Sequence, residues 1–403
     1  MSREFILCMI APEFMPFWGG TGAVTLNIIR SLPRSVEIHV ITPHRAVIGK
    51  NYMESKSDSE VLNDKVHIRH VSQARDTFFY NAHFQLSCLR AIPRLHKEYK
   101  IDLIHTHHAH MPDILLRLFK RLDIKTICSV HNLFPWMMKS INSSGLTFLE
   151  LDRSEKAIRL LFPFLKLCES FFLRNMDLLI APSQHCKAEL KKFLSMTSAR
   201  IDVVYNGVDT QVFVPNCIAC GDEPTVLFAG RPVAQKGIFN LVKAMRIVIR
   251  YTPRARFIFA GGGDFSPYIR IFEKMGISDE HSKYLGHVDH SDMPKIYCQN
   301  KVFVLPSPHE NCSMSIIEAM SCGKAVIASN VGGNPELIES GKDGILYNYG
   351  DSEELAEKII LLLEDSSLRE ELGRRAREKA VKRFSARRMG EEIIRIYERT
   401  VQS

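Results

Sequence analysis

Two pairs of residues stand where they could do chemistry. Arg231 and Lys236 share the stretch Gly230–Gly237, which follows an apolar run, Val226–Ala229, and precedes an amphipathic helical pattern. A loop that leaves a strand and opens a helix already presents free backbone N–H groups to an anion. A guanidinium adds a bidentate fork and an ammonium a mobile point charge. The ligand group that suits this set is a diphosphate; two solvated surface cations are the alternative. The second pair is Glu310, in the loop after the apolar run Val302–Leu305, and Glu318, on a helix opening near Ser313–Ser315. Eight helical positions span about 12 Å, wider than the ~5–9.5 Å of a glycosidase carboxyl pair. The two carboxylates are therefore expected on different parts of one elongated ligand. Ser315 to Glu318 also fits the S-x-x-E capping box, which would make Glu318 structural.

Other stretches carry weaker signals. Gly19, Gly20 and Gly22 lie between the first predicted strand and helix, but Thr25 stands where a dinucleotide-type G-x-G-x-x-G needs a small residue. They read as a flexible loop near phosphates or an acceptor. Gly332-Gly333, with Pro335 and Glu336, reads as a turn opening a helix, and Glu336 there complements the helix dipole. His105, His107, His108 and His110 could suggest a metal, but alternate strand residues point to opposite faces and do not obviously converge. His131, with Asn132, sits where a strand ends; a polar contact to a sugar and a satisfied structural histidine are both open. Cys217 to Cys220 form a C-x-x-C without a second pair at zinc spacing. Val47–Asp64 and Ser140–Leu151 have the composition of mobile loops.

The elements that must position these residues alternate along the chain. Short β-branched or aromatic runs are separated by helix-length amphipathic patterns. Predicted strands are Phe5–Ile10, Glu37–Ile41, Val66–His70, Leu103–His105, Thr126–Val130 and Leu178–Ala181 in the first half. In the second half they are Thr225–Ala229, Arg256–Ala260, Val302–Leu305, Ala325–Ala328 and Gly344–Tyr347. Twice-repeated βαβα alternation predicts an α/β protein with two doubly wound, Rossmann-like parallel sheets. Ligands in such sheets bind beyond the strands' carboxyl ends, so a cleft between the two domains is the expected site. The expected division is 1–208 as the N-terminal, acceptor-side domain and 209–224 as a linker. Residues 225–385 form the C-terminal, donor-side domain, and 386–403 a helix packing back toward the first domain.

Bulk properties limit the classes of function. The 403 residues suffice for two or three domains, and 45% apolar with 24% charged residues is ordinary for a globular chain. The net charge of +8 is uneven: residues 1–210 hold 27 Lys+Arg against 20 Asp+Glu. A basic half suits a phosphorylated substrate or an anionic membrane face, or is simply a solvated surface. It lacks the interleaved aromatics or reading module of a nucleic-acid binder. The ten cysteines, mostly in apolar contexts, read as reduced and buried. With no apolar run near ~20 residues and no signal peptide, the expected location is cytoplasmic, peripheral at the inner membrane face.

Together the motifs resemble the retaining family-4 glycosyltransferases (glycosyl transferase group 1) of the GT-B fold, over nearly the whole chain. They are G-R-x-x-x-x-K-G at Gly230–Gly237 and P-S-x-x-E…E-A-M-x-x-G from Pro306, with Glu310 and Glu318. G-G-x-x-E at Gly332–Glu336, N-G-V-D at Asn206–Asp209 and G-x-x-G-x-L at Gly341–Leu346 complete the set. The resemblance implies two Rossmann-like domains facing across a deep cleft. It gives Arg231 and Lys236 the donor diphosphate, Glu310 the hydroxyls of the transferred sugar, Glu318 the ribose and His131 the sugar. Gly19, Gly20, Gly230 and Asn206 join the donor side, as do Asn311, Ser313, Met314 and Ser315. The turn Leu285–Val288 resembles the frame of the base, with His287 and Val288. Asn311 and Ser313 stand where the family commonly has glycine, which loosens the inference about which sugar is carried.

The implied reaction moves a hexosyl group from a UDP-, GDP- or ADP-hexose to a hydroxyl of a glycan, glycolipid or small alcohol, with retention at the anomeric carbon. No cofactor or metal is expected, because two cations can neutralise the diphosphate. Two alternatives stay open: a GT-B epimerase or phosphorolytic enzyme, and a non-catalytic subunit that binds the nucleotide sugar.

Overall fold

A computed structural model describes residues 5–14, 19–45, 62, 64–74, 79–107, 120–195, 201–215 and 221–402. In chain order the first elements are β1 (Ile6–Ile10), α1 (Gly20–Ser31), β2 (Glu37–Arg45), β3 (Val66–Ala74) and α2 (Phe79–Tyr99). Next come β4 (Leu103–His107), β5 (Lys125–Ser129), α3 (Phe134–Ser143), α4 (Arg153–Arg174), β6 (Leu178–Ala181), α5 (Gln184–Leu194) and β7 (Ile201–Val203). The second half runs β8 (Thr225–Ala229), α6 (Ile238–Tyr251), β9 (Arg256–Ala260), α7 (Ser266–Lys274), β10 (Ser282–Gly286) and α8 (Met293–Gln299). It continues with β11 (Val302–Leu305), α9 (Met314–Ser321), β12 (Ala325–Ser329), α10 (Asn334–Leu337) and β13 (Ile345–Tyr347). Three helices close it: α11 (Ser352–Glu364), α12 (Ser366–Arg383) and α13 (Ala386–Gln402).

These elements form two compact units: Met1–Pro135 with Ala157–Asn206 and Ala386–Ser403, and Trp136–Lys156 with Gly207–Ser385. Unit 1 holds a seven-stranded sheet in the order β3-β2-β1-β4-β5-β6-β7, and unit 2 a six-stranded sheet in the order β10-β9-β8-β11-β12-β13. Every strand pair in both is parallel. The α/β class and the doubly wound sheets expected from the alternation are present.

The strand composition explains the layering. Val302, Phe303, Val304 and Leu305 are all buried, as are Ala325 through Ser329. A strand covered by helices on both faces must be apolar throughout. Each Val, Ile, Leu or Phe among them contributes about 1.5–3 kcal/mol by leaving water, and Phe303→Ala would cost about 3–5 kcal/mol.

In unit 2, β8 pairs with β9 on one side and β11 on the other, so the strand order reverses between β8 and β11. Loops leaving those two strands border the crevice where ligands bind in this sheet class. They are the loops that carry Arg231, Lys236 and Glu310.

The C-terminal helix α13 packs on α1. Ser31 Oγ donates to the carbonyl of Ala386 at 3.0 Å, and Arg388 donates to the carbonyl of Tyr205 at 2.7 Å. Deep in unit 1 the Tyr397 hydroxyl lies 2.6 Å from His105 Nδ1.

Several expectations differ in detail. β7 and β10 carry too few apolar residues to stand out in the sequence. β2 runs to Arg45, past the predicted Ile41. The segment Trp136–Lys156, expected within 1–208, groups with unit 2. Ser140–Leu151, expected as a mobile loop, is the end of α3 and a tight turn: Tyr349 donates to the Ser143 carbonyl at 2.9 Å, and Thr147 N and Oγ1 both donate to Glu150 Oε2 at 2.8 Å. The helix expected to open at Gly332–Glu336 is a single turn that ends at Leu337, where Ile338 turns extended. His108, His110, Cys217 and Cys220 lie outside the described residues, as does most of Val47–Asp64.

Candidate active site

The two motif loops of unit 2 meet. Lys236 Nζ donates to Glu310 Oε1 at 2.7 Å, across 74 residues of sequence. The Glu310 side chain is 10% exposed and that of Lys236 is 30% exposed. This pair is sheltered yet still open to solvent on the ammonium side.

Two glycines hold the loops in register. Gly237, at φ +68°, caps α6, and a Cβ there would lie 1.9 Å from the Pro306 carbonyl oxygen. Gly332, at φ +57°, would place a Cβ 1.9 Å from the Glu310 carbonyl oxygen. That same oxygen accepts from Gly333 N–H at 2.8 Å. The glycine pair thus clamps the backbone of Glu310 and, as expected, also forms the turn that opens α10, with Gly333 as its N-cap and Pro335 and Glu336 in its first turn.

Arg231 is half exposed and lies 3.6 Å from Asp152 Oδ2. Asp152 also caps α4: its Oδ1 accepts from Glu155 N at 2.8 Å, while Asp152 N donates to Glu155 Oε2 at 3.2 Å. This is a reciprocal capping box, D-x-x-E. Glu155 is almost wholly buried, and one of its oxygens has no partner among the described residues. Burial first, and then the Asp152 charge, raises its pKa to about 7. Both groups were missed in the sequence, although the four-residue capping signature was there to read.

Glu318 is not a cap. Ser313 is the N-cap of α9, and its Oγ accepts from Ile316 N at 3.5 Å. The Glu318 carboxylate instead accepts from the buried Tyr297 hydroxyl at 2.8 Å and lies 3.1 Å from His290 Nε2. Each oxygen keeps lone-pair capacity for a ligand hydroxyl. His290, part exposed and tilted against Phe213, is a further site candidate that no motif signalled.

The other unit 2 candidates surround these groups. Gly230 N–H donates to the Ala260 carbonyl at 2.8 Å. The Tyr284 hydroxyl donates to the carbonyls of Gly261 and Gly263 at 2.7 and 3.0 Å, holding that loop beside His287. His287 pairs with Asp289 at 3.5 Å, and Val288 is half-buried. His309 Nε2 lies 3.2 Å from Asn311 Oδ1, and the His309 ring stacks on Trp136 at 5.2 Å. Met314 is buried and Ser315 half-buried; Ser315 Oγ lies 3.1 Å from Ser313 Oγ.

In unit 1 the switch between β1 and β4 is bordered by the Gly19-Gly20 turn and by His107. Gly19 is the N-cap of α1, and Gly20 is its first residue. His131 and Asn206 line one small cavity together with Val24, Ile28, Met389 and Ile393. His131 Nε2 lies 3.0 Å from His107 Nδ1, and the two rings stack at 5.3 Å. Burial keeps His107 well below the usual histidine pKa, and His105 is pushed down to about 3 by burial and by His131. His105 has both nitrogens engaged, by Tyr397 and by Ser129 at 2.8 Å, so it has none left for a metal.

Among the described residues one His/Glu cluster could gather around a cation: Glu37, His39 and His67. It sits near the amino end of β2, away from the strands' carboxyl edge. Arg69 Nε donates to His39 Nδ1 at 3.3 Å. That puts the ring proton on Nε2, which faces Glu37 at 3.0 Å and so offers no lone pair to a metal there.

Comparison with known proteins assigns the class. Residues 219–379 match the family described as Glycosyl transferases group 1, and residues 18–212 match Glycosyltransferase Family 4. The chain belongs to the glycosyltransferases built from these two domains, with the GT-B fold. It is 26% identical over 397 residues to an uncharacterized glycosyltransferase of Methanocaldococcus jannaschii, covering 98% of each chain. It is 30% identical over 223 residues to Spore coat protein SA of Bacillus subtilis, spanning 59% of that protein. Among solved structures, sucrose-phosphate synthase from Thermosynechococcus elongatus superposes with a TM-score of 0.79 at 19% identity, covering 98% of each chain. HepE of Anabaena, solved in complex with UDP-glucose, gives 0.70 at 17%, covering 98% of this chain and 99% of its own. No helix among the described residues is long and apolar enough to cross a membrane.

Proposed function

We propose that this glycosyltransferase moves a hexosyl group from a nucleotide-diphosphate sugar to an acceptor hydroxyl, with retention of anomeric configuration. The observation that carries the reading is the Lys236–Glu310 contact. It joins a cation suited to a diphosphate with a carboxylate suited to sugar hydroxyls, on loops beside the β8/β11 reversal. Arg231 and Lys236 take the diphosphate, Glu310 the hexose, Glu318 with His290 the ribose, and His287 and Val288 the base. Gly230, Asn311, Ser313, Met314 and Ser315 line the donor side. Gly19, Gly20, His131 and Asn206 are the unit 1 residues assigned to the substrates, and 1–208 is read as the acceptor side. The UDP-glucose bound to HepE supports a UDP-hexose as the first donor to try.

Bond cleavage between the anomeric carbon and the diphosphate oxygen builds positive charge on the sugar and negative charge on the leaving group. Two fixed cations stabilise that negative charge as water is excluded. The acceptor oxygen forms its bond to the anomeric carbon on the same face. Its proton passes to the departing phosphate oxygen, so no separate carboxylate base is required. Arg231 and Lys236 supply the charge that a divalent ion would otherwise supply. Activity is therefore expected to survive chelation; loss on chelation, restored by Mg²⁺ or Mn²⁺, would contradict this. An anionic membrane face at the cytoplasmic side is the second partner in this reading, supported by the charge excess of residues 1–210.

The test is a panel of UDP-, GDP- and ADP-hexoses screened for thermal stabilisation, followed by product analysis. Transfer to an acceptor hydroxyl is expected. An isomerised donor would make the chain an epimerase, and binding without turnover would make it a non-catalytic subunit.

A further inference from the structure

Helix α4 leaves an apolar face uncovered. Leu160, Phe164, Leu167 and Phe171 are 70%, 61%, 70% and 64% exposed. Their spacing of four, three and four residues places them within about 60° of arc, over about 16 Å of helix. Scattered exposed apolar residues are normal on a protein surface, but a contiguous stripe of Leu and Phe marks an interaction site. Ile158, Leu165, Phe172 and Leu173 face the core, so the outward stripe is surplus to what holds the helix on unit 1.

The charges beside the stripe are of one sign. From residue 157 to the end of α4 the exposed charged residues are Arg159, Lys166 and Arg174, all cationic. The one acid in that span, Glu169, is buried, and both its oxygens accept from Phe134 N–H, at 3.2 and 3.1 Å. Just beyond the helix, Lys120 donates to Asn175 at 2.9 Å and adds a further cation at that end. A helix with an apolar face and cations along its flank lies in the boundary between acyl chains and headgroups of an anionic bilayer. A second copy of the same face would bring no exposed carboxylate to pair with these cations.

We infer that the Leu160–Phe171 face of α4 is the element that seats this protein on an anionic lipid surface. The inference rests on the membrane part of the proposed function and names the residues responsible for it.

The test is sedimentation of the full chain with vesicles of phosphatidylcholine and phosphatidylglycerol, against phosphatidylcholine alone. The wild type is expected to bind the anionic vesicles and to release in high salt. A variant with Leu160→Ser, Phe164→Ser, Leu167→Ser and Phe171→Ser is expected to lose binding by at least ~100-fold while melting cooperatively. A second variant, Arg159→Gln, Lys166→Gln and Arg174→Gln, is expected to weaken binding by roughly fivefold per charge. If the stripe variant binds as well as the wild type, α4 is not the docking element, although the membrane reading stands. If the wild type ignores anionic vesicles, both fall. A wild-type dimer broken by the stripe substitutions, without vesicle binding, would assign the face to a second copy. Nucleotide-sugar binding, measured in parallel without vesicles, judges the transferase reading separately.

Discussion

Replacing Lys236 by Ala separates two consequences of one contact. The ammonium sits 2.7 Å from a carboxylate that is 10% exposed, while its own side chain is 30% exposed. Removing one partner of a fully buried pair costs about 3–5 kcal/mol, and breaking an exposed one about 0–1 kcal/mol. The geometry lies between, so the expected stability loss is about 1–2 kcal/mol, read from urea unfolding. The effect on turnover is separate. A hydrogen bond from a charged donor contributes about 1.5–3 kcal/mol, which makes the slowdown roughly 10- to 100-fold. Steady-state kinetics with the best donor of the panel would measure it. Glu310→Gln is the companion: its amide oxygen can still accept from Lys236, so the fold should lose less than about 1 kcal/mol while sugar orientation suffers. Full turnover in Lys236→Ala, at a temperature where it is folded, would remove the ammonium from the mechanism.

Three further outcomes follow from the same loops. Gly332→Ala forces a Cβ against the Glu310 carbonyl and a side chain into the left-handed region; it should cost on the order of 3 kcal/mol in chemical denaturation and depress turnover with it. Asp152→Asn frees Arg231 from a half-exposed pair, so donor affinity measured calorimetrically should change by no more than about fivefold. The third concerns pH. The Glu155 carboxyl is raised from 4.5 to about 7, so between those values the native state keeps a proton that the unfolded chain releases. Its contribution is complete below that window and is lost as pH rises through it, by about 3 kcal/mol in all. Glu155→Gln should remove this slope. Because His105, pushed down to about 3, acts with the opposite sign as pH falls below 6.5, the comparison is variant against wild type rather than either alone; identical pH profiles would contradict it.

The sequence made the central strands of both sheets legible, because strands covered on both faces are short, continuous apolar runs. It hid β10, Ser282–Gly286, where a half-buried edge strand carries only Tyr284 and Leu285 as apolar content. Motif spacing pointed to Glu310 and Lys236, but their contact is a product of sheet topology: β8 and β11 are neighbours in space and far apart in the chain. His290 acts through tertiary neighbours and no local pattern marks it; the capping box of Asp152 is a local pattern, but its approach to Arg231 is tertiary and has no local signal. The Glu318 capping alternative shows the reverse failure. The S-x-x-E pattern was present, but the helix starts two residues earlier than that box requires, and Tyr297 and His290 take the carboxylate instead. The α4 stripe was also hidden, since leucine and phenylalanine at helical spacing read as core until burial is known.

The most direct measurement compares calorimetric binding of a nucleoside, its diphosphate and its diphosphate sugar to the wild type and to the Arg231→Ala, Lys236→Ala double variant. With two charged donors on the diphosphate, the wild type should prefer diphosphate ligands over the bare nucleoside by at least ~100-fold, and the double variant should lose that preference. An undiminished preference in the double variant would place the diphosphate elsewhere and contradict the account.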